Sequence, residues 1–290
     1  MSDATCFTLD KATLYLQDAL EGMATLPEQS FDLAIADPPY GASTSATWKL
    51  DRGHDLPGFG GAWKLASHDW DMFSGLEGFE MTLHWLAELK RLVKPTGSIW
   101  IHSTYHNSGL MNVACQLLSL EIINEVVWFK RNAFPNLSGR RLTASHETIL
   151  WVHTGNGKRQ YRFNYAEVKA ASFPEDSLKE RGKQLRTVWD IPNNKTKDEL
   201  RFGTHPTQKP LRLAERLLLI SGLRGGRLLV PFVGSGTEVI AGLRYGMECL
   251  GFETDPEYFD LACKRLNARV KQSAVSLPIE FANVEAQISN

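Results

Sequence analysis

Asp37, Pro38, Pro39 and Tyr40 are the residues of this chain with the clearest chemical potential. The largely apolar run Phe31–Ala36 precedes them, and a short apolar run ended by a breaker fits a strand buried on both faces. Pro38 and Pro39 then stop the ladder, because neither has an N–H to donate. Asp37 and Tyr40 should therefore sit on a stiff loop at the carboxyl end of a central strand, where open α/β sheets hold ligands. The carboxylate and the Pro38 carbonyl offer two acceptors, and Tyr40 offers a flat face. That set suits a planar group bearing an exocyclic amine. On these residues alone, a strand ending in an Asp-Pro turn is the commoner reading.

A second stretch has nucleotide-like spacing. Arg227–Phe232 reads as a strand, Gly234-Ser235-Gly236-Thr237 as a tight turn, the residues through Arg244 as a helix, and Cys249–Glu253 as a strand ending in an acid. Gly234 and Gly236 allow close backbone approach, and Glu253 can accept two ribose hydroxyls. The third glycine of a dinucleotide fingerprint is absent, since Val239 and Ile240 occupy that region. An adenosine without phosphates fits better than a pyrophosphate.

Several elements must position these two stretches. Thr13–Leu16 reads as a strand ending near Asp18, with a helix after it. Helical periodicity marks Phe79–Val93, Leu110–Leu120, Leu211–Ser221 and Pro256–Val270. Ser98–His102, Ile122–Phe129 and Thr148–His153 read as strands. Gly41–Gly78 has little periodicity and is long for a structureless loop. The expected domain plan is a catalytic half over 1–129, a target-recognition region with core strands over 130–204, a cofactor half over 205–270 and a tail over 271–290.

Composition narrows the class. With 43% hydrophobic and 22% charged residues, the chain is of ordinary globular type. No apolar run approaches a membrane span, and no signal-peptide pattern is present. Cys6, Cys115, Cys249 and Cys263 are scattered and read as reduced thiols of a cytoplasmic protein. His102 and His106 have a spacing that would serve a metal on a helix, but they follow a strand-like run without a third ligand, so no metal site is expected. Net charge is −1, yet Lys130 to Arg201 holds 15 Lys plus Arg against 8 Asp plus Glu, or +7, which leaves −8 elsewhere. Tyr161, Phe163, Tyr165, Phe173, Trp189 and Phe202 are interleaved with these charges, a texture shared by solvated surfaces and nucleic-acid contacts.

Taken together, three motifs resemble those of the β group of DNA amino-methyltransferases. Asp37-Pro38-Pro39-Tyr40 is similar to the catalytic motif, Phe232-Val-Gly234-Ser235-Gly236-Thr237 to the S-adenosylmethionine motif, and His205-Pro-Thr207-Gln208-Lys209-Pro to the segment before it. The matching segments run from about residue 9 to 270. The resemblance implies an S-adenosylmethionine-dependent methyltransferase fold: an α/β, mainly parallel, seven-stranded, doubly wound sheet with an inserted target-recognition region. It also implies a cofactor site of Asp18 and Ala19, Asp37, His205 with Thr207, Gln208 and Lys209, Phe232 with Gly234 to Thr237, and Glu253, Thr254 and Asp255. Within that site, Asp18 would meet the adenine amine, Phe232 the adenine or ribose, Glu253 the ribose, and Thr207 with Lys209 the methionine carboxylate.

The implied catalytic set is Asp37, Pro38, Pro39 and Tyr40, acting on a flipped base without a metal, and Lys130, Arg131, Arg140 and Arg141 would contact DNA. Double-stranded DNA is the implied partner, with room for single strands and for a homodimer. Asp at position 37 favours N6 of adenine, and the Asn-Ala-Phe-Pro and Ala-Ser-His-Glu-Thr segments resemble adenine methylases of restriction–modification systems. The alternatives are N4-cytosine methylation, an RNA substrate, or a DNA-binding subunit that has lost catalysis. One residue departs from the pattern: Val230 stands where the family often has Asp. Asp255, Lys209 or backbone groups are then expected to bind the methionine end.

Overall fold

The computed structural model describes residues 5–39, 75–135, 140–155, 159–180 and 182–273. Tyr40, most of Gly41–Gly78 and the tail beyond Ser273 lie outside them. In chain order the elements are β1 (Thr5–Leu9), β2 (Ala12–Leu16), α1 (Ala19–Ala24), β3 (Phe31–Ala36), α2 (Gly75–Leu92), β4 (Val93–Ser103), α3 (Ser108–Leu117) and β5 (Glu121–Phe129). They continue with β6 (His146–His153), α4 (Tyr165–Ala170), β7 (Val188–Asp190), α5 (Leu211–Ser221), β8 (Arg227–Val230), α6 (Thr237–Tyr245), β9 (Glu248–Glu253) and α7 (Pro256–Ser273).

All the strands join one sheet in the order β1-β2-β9-β8-β3-β4-β6-β5-β7. The four neighbour pairs from β2 through β4 are parallel, while β4–β6 and β5–β6 are antiparallel. Among the described residues the sheet has nine strands rather than the seven expected. The two extra ones are short edges: β1 turns back on β2 at Asp10, whose φ is 52°, and the three-residue β7 pairs with β5. The doubly wound sheet with helices on both faces is as the motifs implied.

Side-chain alternation on the central strands feeds two cores. Ala34 and Ala36 of β3, with Ile99 and Ile101 of β4, pack against Trp85, Leu86 and Leu89 of α2. Leu33, Ile35 and Trp100 face the other way, toward Leu213, Leu217 and Ile220 of α5. Every residue of β3 is buried, as a strand covered by helices on both faces must be. Pro95-Thr-Gly97 forms an irregular stretch inside β4, where the register with β3 shifts between Phe31 and Leu33.

The most consequential pairing is β3 with β8, Leu33 opposite Leu228 and Ala34 opposite Leu229. From β3 the chain crosses through α2 to β4 on one side, and from β8 it crosses through α6 to β9 on the other. The two motif-bearing strands therefore meet at the point where the winding reverses, which leaves a crevice beyond their carboxyl ends.

Candidate active site

That crevice is a cleft of about 590 Å³. Asp37, Pro38 and Pro39 form one wall, at the end of β3. Phe232, Gly234 and Ser235 form the facing wall after β8, and Glu253 with Thr254 closes it after β9. Asp18 and Ala19 at the start of α1, and His205, Thr207, Gln208 and Lys209 before α5, complete the lining. Gly236, Thr237 and Asp255 stand behind the wall, and Tyr40 lies outside the described residues.

Lys209 holds the catalytic loop. Its ammonium, with a side chain only 3% exposed, donates to both oxygens of Asp37 at 2.9 and 2.7 Å and to the carbonyl of Thr207 at 3.2 Å. The Glu147 carboxylate lies 3.7 Å away on its other side. Burial opposes the charge on Lys209, but Asp37 and Glu147 outweigh burial and hold its pKa above the ordinary lysine value. Lys209 was expected to meet a cofactor carboxylate; in this structure its partner is Asp37. The reason is proximity: the segment before α5 runs alongside the ends of β3 and β8. Asp37 and Lys209 are 172 residues apart, so no local signal could have paired them.

Glu238, in the first turn of α6, lines the same cleft and went unnoticed in the sequence. It is buried, and burial followed by repulsion from Asp37 pushes its carboxyl up to about 7. Val230 is fully buried at the end of β8. The acid missing there thus has a counterpart one turn into the following helix. Asp255, expected to substitute for it, instead caps α7 by accepting from the Glu257 and Tyr258 N–H groups at 2.8 and 3.3 Å.

The opposite end of the cleft is built mainly from backbone. Glu253 accepts from the Gly234 N–H at 2.7 Å and from the Asp255 N–H at 2.9 Å, one donor to each oxygen. Burial still holds its carboxyl above the usual range, against the backbone N–H groups of Asp255, Gly234 and Thr254. Each oxygen keeps acceptor capacity for a hydroxyl. Gly234 has φ 51°, and a Cβ there would meet the His205 ring at 3.4 Å, so the wall approaches a ligand closely only with glycine. Gly236 has φ 78° and packs on Ala262, while Thr237 and Ser235 are tied to buried Arg265, a structural role behind the wall.

Phe232 stands edge-on to buried Trp85 at 5.6 Å, which fixes its ring beside the cleft. Asp18 caps α1, accepting from the Leu20 and Glu21 N–H groups at 2.8 and 3.1 Å. His205 packs edge-on against Tyr258 at 4.2 Å and is hydrogen-bonded to Thr207. Gln208 donates to the Glu199 carbonyl at 3.2 Å. An acid in the first turn of α6 works against phosphate binding at that helix start. The donor set therefore fits an adenosine with a cationic tail, and S-adenosylmethionine has that chemistry.

The basic segment divides. Lys130 pairs with Glu147 at 2.7 Å, and Arg131 pairs with Asp190 at 2.8 Å and with the carbonyl of Glu175, so both expected DNA contacts have partners within the fold. Arg140 and Arg141 are exposed, and Arg141 donates to the Tyr105 hydroxyl at 2.9 Å. Tyr105 lies against His106, which lines the cleft. Several of the interleaved aromatics are structural: Trp189 lies beside Trp100 in the core, and Tyr161 and Phe163 pack edge-on to Trp151. His102 is buried in β4 and His106 lies in the turn after it, so they do not share a helix. Among the described residues no helix is long and apolar enough to cross a membrane.

The family model described as DNA methylase matches residues 31–264. The type II methyltransferase M2.DpnII of Streptococcus pneumoniae is 34% identical over 263 residues, spanning 90% of this chain and 92% of that protein. The putative DNA modification methylase TTHA0409 of Thermus thermophilus, solved with S-adenosyl-L-methionine, is 25% identical with a TM-score of 0.58, over 89% of this chain and 93% of that one. The cytosine-N4-specific PvuII DNA methyltransferase shares the fold at 17% identity, with a TM-score of 0.65 over 89% of this chain and 87% of that one. A catalytic loop and a glycine turn on neighbouring parallel strands, with this cleft between them, agree with those matches: the chain belongs to the N6/N4 DNA methylases, which use S-adenosylmethionine.

Proposed function

We propose that this enzyme methylates the N6 amine of adenine within a specific DNA sequence, as the modification enzyme of a restriction–modification system. The observation that carries the reading is the Asp37 carboxylate, set at the end of β3 and lining the cleft beside the Pro38 carbonyl. An aromatic amine is a poor nucleophile because its lone pair is delocalised into the ring. Asp37 and the Pro38 carbonyl accept its two hydrogens and favour a pyramidal nitrogen. Lys209 keeps Asp37 ionised and aimed as an acceptor, and Asp37, though a weakened base, takes the proton that the strongly acidic alkylated nitrogen sheds. When bound, S-adenosylmethionine supplies the electrophilic methyl group. Glu253 receives the ribose hydroxyls, Phe232 packs against the adenosine, and Glu238 offers negative charge to its cationic tail.

The target base leaves the duplex to reach the cleft, at a cost of a few kcal/mol that stacking and pocket hydrogen bonds offset. Positioning and preorganised acceptors supply most of the acceleration. Residues 130–204 read the target, with Arg140 and Arg141 on phosphates, and 205–270 carries the cofactor. Asp at position 37 and the type II methyltransferase relative support this reading. DNA from a methylation-deficient host expressing the chain, digested and analysed by mass spectrometry, should contain N6-methyladenine. N4-methylcytosine in its place would overturn the base assignment and leave the acceptor chemistry standing.

A further inference from the structure

Four ionic side chains alternate in sign from the recognition segment to the catalytic loop. Lys130, just beyond β5, donates to Glu147 Oε1 at 2.7 Å. Glu147 Oε2, buried and without a hydrogen-bond partner among the described residues, lies 3.7 Å from Lys209 Nζ. Lys209 in turn grips both oxygens of Asp37. The side chains are 13, 14, 3 and 15% exposed along this row, so solvent screens the contacts little. Buried ion pairs contribute little net stability compared with apolar packing, so such a row points to something other than folding energy.

Glu147 belongs to β6, which pairs with both β4 and β5 and is therefore rigidly placed. Lys209 precedes α5 in a segment without regular structure, where a lysine tail has several rotamers to choose from. With Asp37 at 2.7 Å and Glu147 at 3.7 Å, the ammonium is attracted to two carboxylates at once.

We propose that Glu147 is a positioning residue for methyl transfer, keeping the Lys209 ammonium against Asp37 so that the carboxylate stays aimed into the cleft. The proposal rests on the reading of Asp37 as acceptor of the target amine. Other groups face the same spot: His102 from β4, Glu238 from α6, and Lys195 from the segment before α5. Burial pushes the His102 ring down to about 4, so it stays neutral at physiological pH. Burial and then Lys209 push Lys195 down to about 8. Lys209 is thus the cation in direct contact with Asp37 among the described residues, and Glu147 controls where it points.

The test is a double-mutant cycle on the single-turnover methyl-transfer rate, with DNA and S-adenosylmethionine saturating. Glu147→Gln should slow transfer on the order of tenfold and Lys209→Met on the order of a hundredfold. The double variant should be no slower than Lys209→Met, because Glu147 acts through that lysine. Calorimetry with S-adenosylhomocysteine should give wild-type affinity for Glu147→Gln. In Lys209→Met the acid limb of the pH–rate profile should move to higher pH, since Asp37 has lost the charge that stabilises its anion, and Lys209→Arg should restore part of that limb.

Independent, multiplying effects in the cycle, or an unchanged rate in Glu147→Gln, would overturn the proposal. Should Glu147→Gln lack a cooperative thermal transition, Lys130→Met approaches the same carboxylate from its outer end. Its loss should vanish in the Lys209→Met background, and persistence there overturns the proposal equally. A methylated base amine formed by wild type, N6-methyladenine or N4-methylcytosine, keeps the underlying reading intact whichever way the cycle falls; the absence of both removes that reading first.

Discussion

Asp37 and Glu253 are both carboxylates at the ends of parallel strands in one cleft, yet they are held by different means. Asp37 is gripped by the ammonium of a side chain 172 residues away. Glu253 is held by two backbone N–H groups, from Gly234 after the neighbouring strand and from Asp255 two residues on. A backbone donor is placed by the fold itself and has no rotamer to lose. A lysine brings full charge but must itself be held. The difference matches the tasks proposed for them: a group that meets reacting atoms needs a tuned charge, and a group that seats a ribose needs a fixed position.

The comparison breaks first at Asp37. Asp37→Ala should lower methyl incorporation by a hundredfold or more at saturating substrates, while DNA binding and part of the cofactor affinity survive. Asp37→Asn keeps one acceptor and should retain trace activity. An Asp37→Ala enzyme with full activity would refute the acceptor role. Glu253→Ala comes next. Removing a charged acceptor of two hydroxyls should weaken S-adenosylhomocysteine binding by roughly ten- to a hundredfold in calorimetry, with kcat largely recovered at saturating cofactor. A fall in kcat alone would mean that the two carboxylates do not divide the work in this way.

Glu238 sharpens the contrast through pH. Its folded-state pKa is about 7 against an ordinary 4.5, so between those values the native state binds the extra proton. Stability then falls as pH rises through that window, by a few kcal/mol from this group. Glu238→Gln should raise the melting temperature without cofactor more at pH 8 than at pH 5; equal shifts at both would refute it. The smallest effect should come from Arg140 and Arg141, which do not line the cleft. Replacing both with Ala should weaken DNA binding severalfold at low salt and reduce its salt slope, with cofactor affinity unmoved. Altered cofactor affinity in that variant would show that the recognition segment and the cofactor wall are not separate.

What could be read from residues was what local physics decides. Pro38 and Pro39 ending β3, Gly234 and Gly236 opening α6, and the apolar period of α5 each act within a few neighbours, and all are found where expected. The β7 strand has three residues and exists only because β5 offers an edge. The partners of Lys130, Arg131 and Lys209 come from distant strands and loops, so a basic texture in sequence gives no sign of which charges pair within the fold. Trp189 and Tyr161 carry no local mark that separates core from contact surface. Glu238 is hinted at only by the acid missing at Val230, because its place in the cleft depends on how α6 packs beside β3.

The pairing of β3 with β8 also governs how the protein must be made. Arg227 donates its N–H to Asp32, 195 residues earlier, at the root of those two strands. At ribosomal speeds of about 5–20 residues per second, β3 waits roughly 10 to 40 s for that neighbour to be synthesised. During that time a strand made to be buried has one bare edge, a template for pairing with other chains. The catalytic and cofactor halves are thus one cooperative folding unit, and the nascent chain needs shielding until its last third emerges. A chain ended before α5 should remain unfolded and aggregation-prone, with no protected amides in β3 by hydrogen exchange.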